Sequence, residues 1–266
     1  MLSSTWIAHH RLLTLGVGFA VLLVAVGFGV WLFVLRSPGT QVDLREAVRQ
    51  FRASQGADLT GSDTTLPAAG VYQYRTTGGE QLSVGGISRG FPSVTPMIVT
   101  DSGCATMTWE PLVQHMEGLV ICPTAGGALV IEALPSSEVI AGTRTTTDIR
   151  CPSGTYFVPP GATRGERWRA TCHAGSEKVV LSGLVVGPSE VTVAGRRVPA
   201  LHTTLSLAFS GSQKGSNPNQ YWVSPQNGMI LRQRETVDMA EGSGPFGPVH
   251  YSEDMTIALT ALHPAR

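Results

Sequence analysis

Gly86-Ile87-Ser88-Arg89-Gly90 is the stretch of this chain that spells a catalytic pattern. Gly-x-Ser-x-Gly holds a serine nucleophile on a tight strand-to-helix turn beside an oxyanion hole, in hydrolases built from alternating strands and helices. The residues that follow argue against that chemistry. Phe91-Pro92-Ser93-Val94-Thr95-Pro96 puts two prolines where the helix would begin, and no strand–helix alternation runs through the chain. Ser88 therefore reads as part of a strand-end turn, with serine hydrolysis as the alternative function.

The remaining titratable residues form no legible constellation. His115, His173, His202, His250 and His263 show neither i, i+4 nor His-x-His spacing, so no metal site is read from them. Glu253 and Asp254 are adjacent, so on a strand they point to opposite faces and cannot share a proton. Glu138, Asp148, Glu166 and Asp238 have no partner visible in one dimension. No catalytic residue, metal or cofactor is assigned.

Cys104, Cys122, Cys151 and Cys172 contain no Cys-x-x-Cys pair and match no zinc module. An even set of cysteines behind a membrane anchor fits disulfides in an oxidising compartment, and Cys104–Cys122 with Cys151–Cys172 is the pairing that closes the shortest loops. Each such loop contributes about 3 kcal/mol in the chain-entropy model. Trp109, Trp168 and Trp222 are candidate ligand-lining residues. On a curved sheet with an apolar concave face they would line the mouth of a site for an acyl chain, and core packing is the competing role for them and for Tyr221.

These residues are positioned by three kinds of segment. From Leu12 to Leu35 the chain runs about 24 residues without a charge, long enough as a helix to span a ~30 Å hydrocarbon core. It is too long for the apolar part of a cleaved signal peptide and lacks a small-x-small site, so it reads as a transmembrane signal anchor. Residues 1–11 are then a short cytoplasmic tail. Trp6 at one end and Trp31 and Phe33 at the other fit interfacial anchors. Arg36, Arg45, Arg49 and Arg52 against Arg11 would by count place the large domain in the cytoplasm; the cysteines argue for the opposite side, and that placement is preferred.

Residues 36–69 read as a stalk helix and linker, with Asp43 and Glu46 as N-cap and N3 and with Leu44, Val48 and Phe51 on one side. Beyond residue 70 the period becomes two. Tyr72 and Tyr74 share one face, Leu201, Thr203, Leu205, Leu207 and Phe209 alternate with polar residues, and Met255, Ile257 and Leu259 repeat the pattern. Gly/Pro/Asn/Ser clusters separate roughly eleven strand candidates. The fold class is mainly β: a transmembrane helix and short stalk helix, then a curved antiparallel sheet, half-barrel or barrel-like, over residues 70–266, with a subdivision conceivable near 158–166. Charged residues are 14% of the 266 and net charge is zero, which excludes a nucleic-acid partner recruited by a global field.

Three stretches carry a resemblance: Gly70-Val71-Tyr72-Gln73-Tyr74-Arg75-Thr76-Thr77-Gly78-Gly79-Glu80, the run from Cys104 through Trp109-Glu110 to Cys122, and Asn219-Gln220-Tyr221-Trp222-Val223-Ser224-Pro225-Gln226-Asn227-Gly228-Met229-Ile230-Leu231-Arg232. In these the chain resembles a family of single-pass membrane proteins of actinobacteria that has no assigned activity. In architecture it is similar to half-barrel carriers of lipids and lipoproteins in bacterial envelopes. The expectation is a non-enzymatic extracytoplasmic β-domain, tethered in the cell membrane through its anchor helix, that binds an apolar ligand or an envelope protein. A purely structural envelope subunit is the other non-enzymatic reading.

Overall fold

The computed structural model describes residues 39–55, 65–83, 86–140, 143–244 and 247–265. The expected membrane segment 12–35 lies outside them. Among the described residues no helix is long and apolar enough to cross a membrane.

Helix α1 (Leu44–Gln55) starts where the sequence places it. Asp43 Oδ1 accepts from the backbone N–H of Arg45 at 2.8 Å and of Glu46 at 3.1 Å, satisfying two of the donors a helix start leaves open. Its buried face, Ala47 and Phe51, packs on Val71 together with Ile98. The expected stalk helix thus lies against the sheet.

Fourteen strands follow: β1 (Gly70–Leu82), β2 (Ile87–Gly90), β3 (Val94–Asp101), β4 (Ala105–Leu112), β5 (His115–Pro123), β6 (Leu129–Ile140), β7 (Thr143–Arg150), β8 (Tyr156–Val158), β9 (Arg167–Ala174), β10 (Glu177–Val193), β11 (Arg196–Ser210), β12 (Gln213–Val223), β13 (Ile230–Gly244) and β14 (Gly247–Leu259). Each ring strand pairs antiparallel with its neighbours, and β14 returns to β1 from Tyr74↔Leu259 to Leu82↔Tyr251. The result is a closed barrel of twelve strands; β2 extends the β1 edge and β8 caps β6. Closure settles the half-barrel alternative, and the ring is continuous across residues 158–166. Full closure leaves no open sheet edge in the ring.

Two details make the closure possible. Gly78 has φ 115°, and a Cβ there would meet the Asp254 carbonyl oxygen at 2.0 Å, so only glycine lets β14 approach. The weakest seam joins β7 to β9 through only Ile149↔Ala174 and Arg150↔His173. Beside it sits the disulfide Cys151–Cys172, while Cys104–Cys122 ties the start of β4 to β5, so the two short-loop pairs are formed.

Outward positions of β13, namely Arg232, Arg234, Thr236 and Asp238, are all exposed. The interior is filled from one end by Tyr74, Met107, Ile121, Phe157, Leu181, Leu231 and Ile257. That is polar-out, apolar-in alternation, the reverse of a barrel whose outer face meets lipid.

Candidate functional site

The inward series changes character partway along the barrel. On β14 it runs Leu259, Ile257, Met255 and then Glu253 and Tyr251; on β13 Leu231 is followed by Gln233 and Glu235; on β1 Tyr74 and Thr76 are followed by Glu80. Glu80 pairs in register with Glu253, and Glu253 with Val237, so the polar residues form one layer above the apolar floor.

His115, at the start of β5, is the centre of that layer. Its side chain is 2% exposed. Nδ1 faces Glu80 Oε2 at 2.9 Å and also bonds Glu138 Oε1, so this nitrogen carries the proton. Nε2 faces Glu117 Oε1 at 3.7 Å and Glu253 Oε2 at 3.9 Å and has no hydrogen-bond partner among the described residues. Phe91 and Trp109 stand edge-on to the imidazole, with ring centroids 5.3 and 5.5 Å away. Arg89 locks the far side of Glu80: Nη1 donates to Oε1 at 2.6 Å and Nη2 to the Val139 carbonyl at 2.9 Å. The Tyr251 hydroxyl donates to Glu253.

A second network adjoins it. Asn217 Nδ2 donates to Glu235 Oε1 at 2.6 Å, and Gln233 Nε2 donates to Glu235 Oε2 at 2.7 Å and Asn219 Oδ1 at 3.0 Å. Among the described residues the interior thus holds five carboxylates (Glu80, Glu117, Glu138, Glu235 and Glu253) against two cationic groups, Arg89 and His115.

This imbalance sets the protonation states. Burial works against a charged His115, but the carboxylates of Glu253, Glu138 and Glu80 outweigh it and hold the imidazole well above its ordinary value. Burial likewise works against Glu80, and the bonds to His115 and Arg89 outweigh it, holding its carboxyl below the usual range. Burial, reinforced by Glu235 and Glu253, pushes Glu117 well up. Burial raises Glu253 to about 8 even with His115 nearby, and raises Glu138 and Glu235 as well. Glu117, Glu138, Glu235 and Glu253 are thus biased toward the protonated carboxyl, and Glu80 and His115 toward their charged forms.

The layer borders an internal cavity of about 170 Å³. His115, Glu117, Glu138, Glu235 and Tyr251 lie on one side, and Leu134, Ile149, Leu207, Phe209, Val237 and Met239 form apolar walls. Glu117 keeps a quarter of its side-chain exposure because it looks into this space. Two sets of three donor atoms lie within 4.8 Å of one another: Glu80/His115/Glu138 and His115/Glu117/Glu253. A third such set, Cys104/Cys122/Glu132, has both sulfurs bound in a disulfide.

The residues singled out from sequence sit elsewhere. Ser88 is exposed on β2, opposite Gln81, and bonds no histidine or carboxylate among the described residues; its neighbours Ile87 and Arg89 are buried. Gly86 has φ 60° and leads into a strand, not a helix. Trp109 is buried and donates to Thr95 Oγ1 at 2.8 Å. Trp168 covers Gly183, its register partner on β10. Trp222 is outside the barrel, stacked on His202 at 4.3 Å with the Arg232 guanidinium 5.0 Å from its ring. None of the three tryptophans is on the cavity wall.

Sequence reading assigned no role to Glu80, Arg89, Glu117 or Glu235 and read no site from His115 or Glu253. A signal was present: His115-x-Glu117 shares one strand face, and Glu253 continues the inward phase of Met255, Ile257 and Leu259. The partners these residues meet come from other strands, so spacing along the chain does not show them.

No protein-family model and no curated protein matches the chain, so no matching model stands behind the resemblance to the actinobacterial family. Among solved structures the chain is similar to the hypothetical lipoprotein YmcC from Escherichia coli (K12), at 14% identity and a TM-score of 0.32, over 84% of this chain and 100% of that one. A likeness at that score carries no argument about function.

Proposed function

We propose that this chain is a binding module, not an enzyme, held outside the cytoplasm by segment 12–35 and receiving a small, partly apolar molecule inside its barrel. The observation that carries the reading is the cavity itself, with aliphatic and aromatic walls above a layer of hydrogen-bond acceptors. Its volume is near that of engineered cavities of about 150 Å³ that hold benzene. Drug-sized sites run to roughly 300–1,000 Å³. The ligand is therefore a single ring or short chain, smaller than the lipid acyl chain the sequence suggested, with a donor group such as a hydroxyl or ammonium directed at Glu117, Glu138 and Glu235. The two disulfides support the extracytoplasmic placement, since such bonds persist in oxidising compartments.

Thermal unfolding with benzylamine and benzyl alcohol, in the presence of a chelator, tests this. A concentration-dependent rise in Tm is expected for the wild-type chain and not for Val237→Trp, which fills the cavity. No rise at any concentration, or the same rise in Val237→Trp, overturns the reading.

A further inference from the structure

We infer that His115, Glu117 and Glu253 form a binding site for a divalent transition ion of the zinc or manganese type at the deep edge of the cavity. The carboxylates alone would not argue it. What does is the buried imidazole: Nε2 has no hydrogen-bond partner, is sealed from outside, and is aimed between two carboxylate oxygens at 3.7 and 3.9 Å. Glu253 Oε1, also buried, is likewise unpartnered. Leaving such an atom unmatched is costly, and a cation bound between Nε2, Glu117 Oε1 and Glu253 Oε2 supplies the partner that Nε2 lacks among the described residues.

The size fits. In a triangle whose edges all matched those two distances, the centre lies about 2.2 Å from each corner, and zinc binds nitrogen and carboxylate oxygen at roughly 2.0–2.2 Å. The third edge falls within the 4.8 Å that bounds this donor set. Hard ions such as calcium take oxygen ligands only, so the imidazole selects a transition metal.

The surroundings match a ligand set as well. A metal-binding histidine almost always donates its other ring N–H to a carboxylate, backbone carbonyl or water, which fixes its tautomer. Here Nδ1 is held by Glu80 and Glu138, and Arg89 anchors Glu80 in turn. Tyr251 orients Glu253 by a hydrogen bond. Three protein donors leave further positions on the ion open, and His115 and Glu117 border the cavity from which they would be filled. The metal site shares Glu117 with the organic ligand proposed above but does not rest on it, because Glu253 is off the cavity wall and no aliphatic wall residue takes part.

The test uses the intact, disulfide-bonded chain, stripped with a chelator, and titration calorimetry with Zn²⁺. One ion per chain is expected. Loss of an outer-shell partner alone typically costs about 10–100-fold in affinity. Glu117→Gln and Glu253→Gln, which keep size and shape, should therefore each weaken binding by about a hundredfold or more. Co²⁺ bound to the wild-type chain gives a second readout that needs no variant: one hyperfine-shifted exchangeable proton, from His115 Nδ1–H. Absence of stoichiometric binding overturns the site. So does binding indifferent to both Gln variants, which would belong to surface histidines. Binding lost only in Glu80→Gln or Glu138→Gln would put the ion on Nδ1 and overturn this assignment too.

Discussion

Glu253 and His115 come from strands four places apart around the ring, β14 and β5, yet the carboxylate of one lies 3.9 Å from Nε2 of the other. Barrel closure brings them together, and most of the testable behaviour of the interior depends on that layer.

Arg89 and Glu80 are 5% and 0% exposed and joined at 2.6 Å. Removing one partner of a buried pair leaves an uncompensated charge and typically costs about 3–5 kcal/mol. Arg89→Met should lower the urea midpoint accordingly, and Arg89→Met/Glu80→Gln should recover a substantial part of the loss. A double-variant loss equal to the sum of the Arg89→Met and Glu80→Gln losses would show that the pair is not coupled.

The two disulfides should differ. In the chain-entropy model each contributes about 3 kcal/mol, or roughly 6–12 °C in Tm for a chain of this size. Cys151–Cys172 reinforces a seam of only two paired positions. Replacing Cys151 and Cys172 with Ser should therefore lower Tm more than replacing Cys104 and Cys122, as scanning calorimetry would read.

Stability should fall as pH rises from about 5 to 8 in a chelating buffer. Glu253 titrates near 8 in the folded chain, against an ordinary glutamate value of 4.5, so between those values the folded state holds a proton the unfolded chain has lost. That favours folding fully below the unfolded value and is lost on approaching pH 8. His115, also raised, acts in the same direction above its ordinary 6.5, while the lowered Glu80 opposes it only in acid. Glu253→Gln should flatten the Tm profile; a wild-type Tm that climbs steadily from pH 5 to 8 would contradict the account.

Gly78→Ala should destabilise strongly, because the new methyl meets backbone at 2.0 Å in the β1–β14 seam, whereas Gly90→Ala meets nothing within 4 Å. Circular dichroism melts of the pair separate a steric effect of closure from a general cost of losing glycine in β strands.

Much of the fold was legible because strand alternation is local. Tyr72/Tyr74, Leu201–Phe209 and Met255–Leu259 each announce a buried face without reference to any other strand, and Asp43/Glu46 mark a helix start. Which strands are neighbours is not local, so closure of β14 on β1 was open between barrel and half-barrel. The site was harder still. Glu80, His115, Glu117 and Glu253 are ordinary polar residues until their inward phase is known, and their meeting depends on the register of a twelve-strand ring. The tryptophans stood out by type, but the structure gives them packing partners of their own.

The β1–β14 seam also has a kinetic meaning. A chain made from its N-terminus presents Tyr74 of β1 185 residues before its partner Leu259 exists (259 − 74). Until then one side of β1 is an unpaired edge able to recruit other chains, and such distant pairings form slowly. Charged Arg75 and Glu80 along that edge would discourage mispairing during the wait. Glu80 and Glu253 meet only when the ring shuts, so the polar layer is complete only in a chain whose β1–β14 seam has formed.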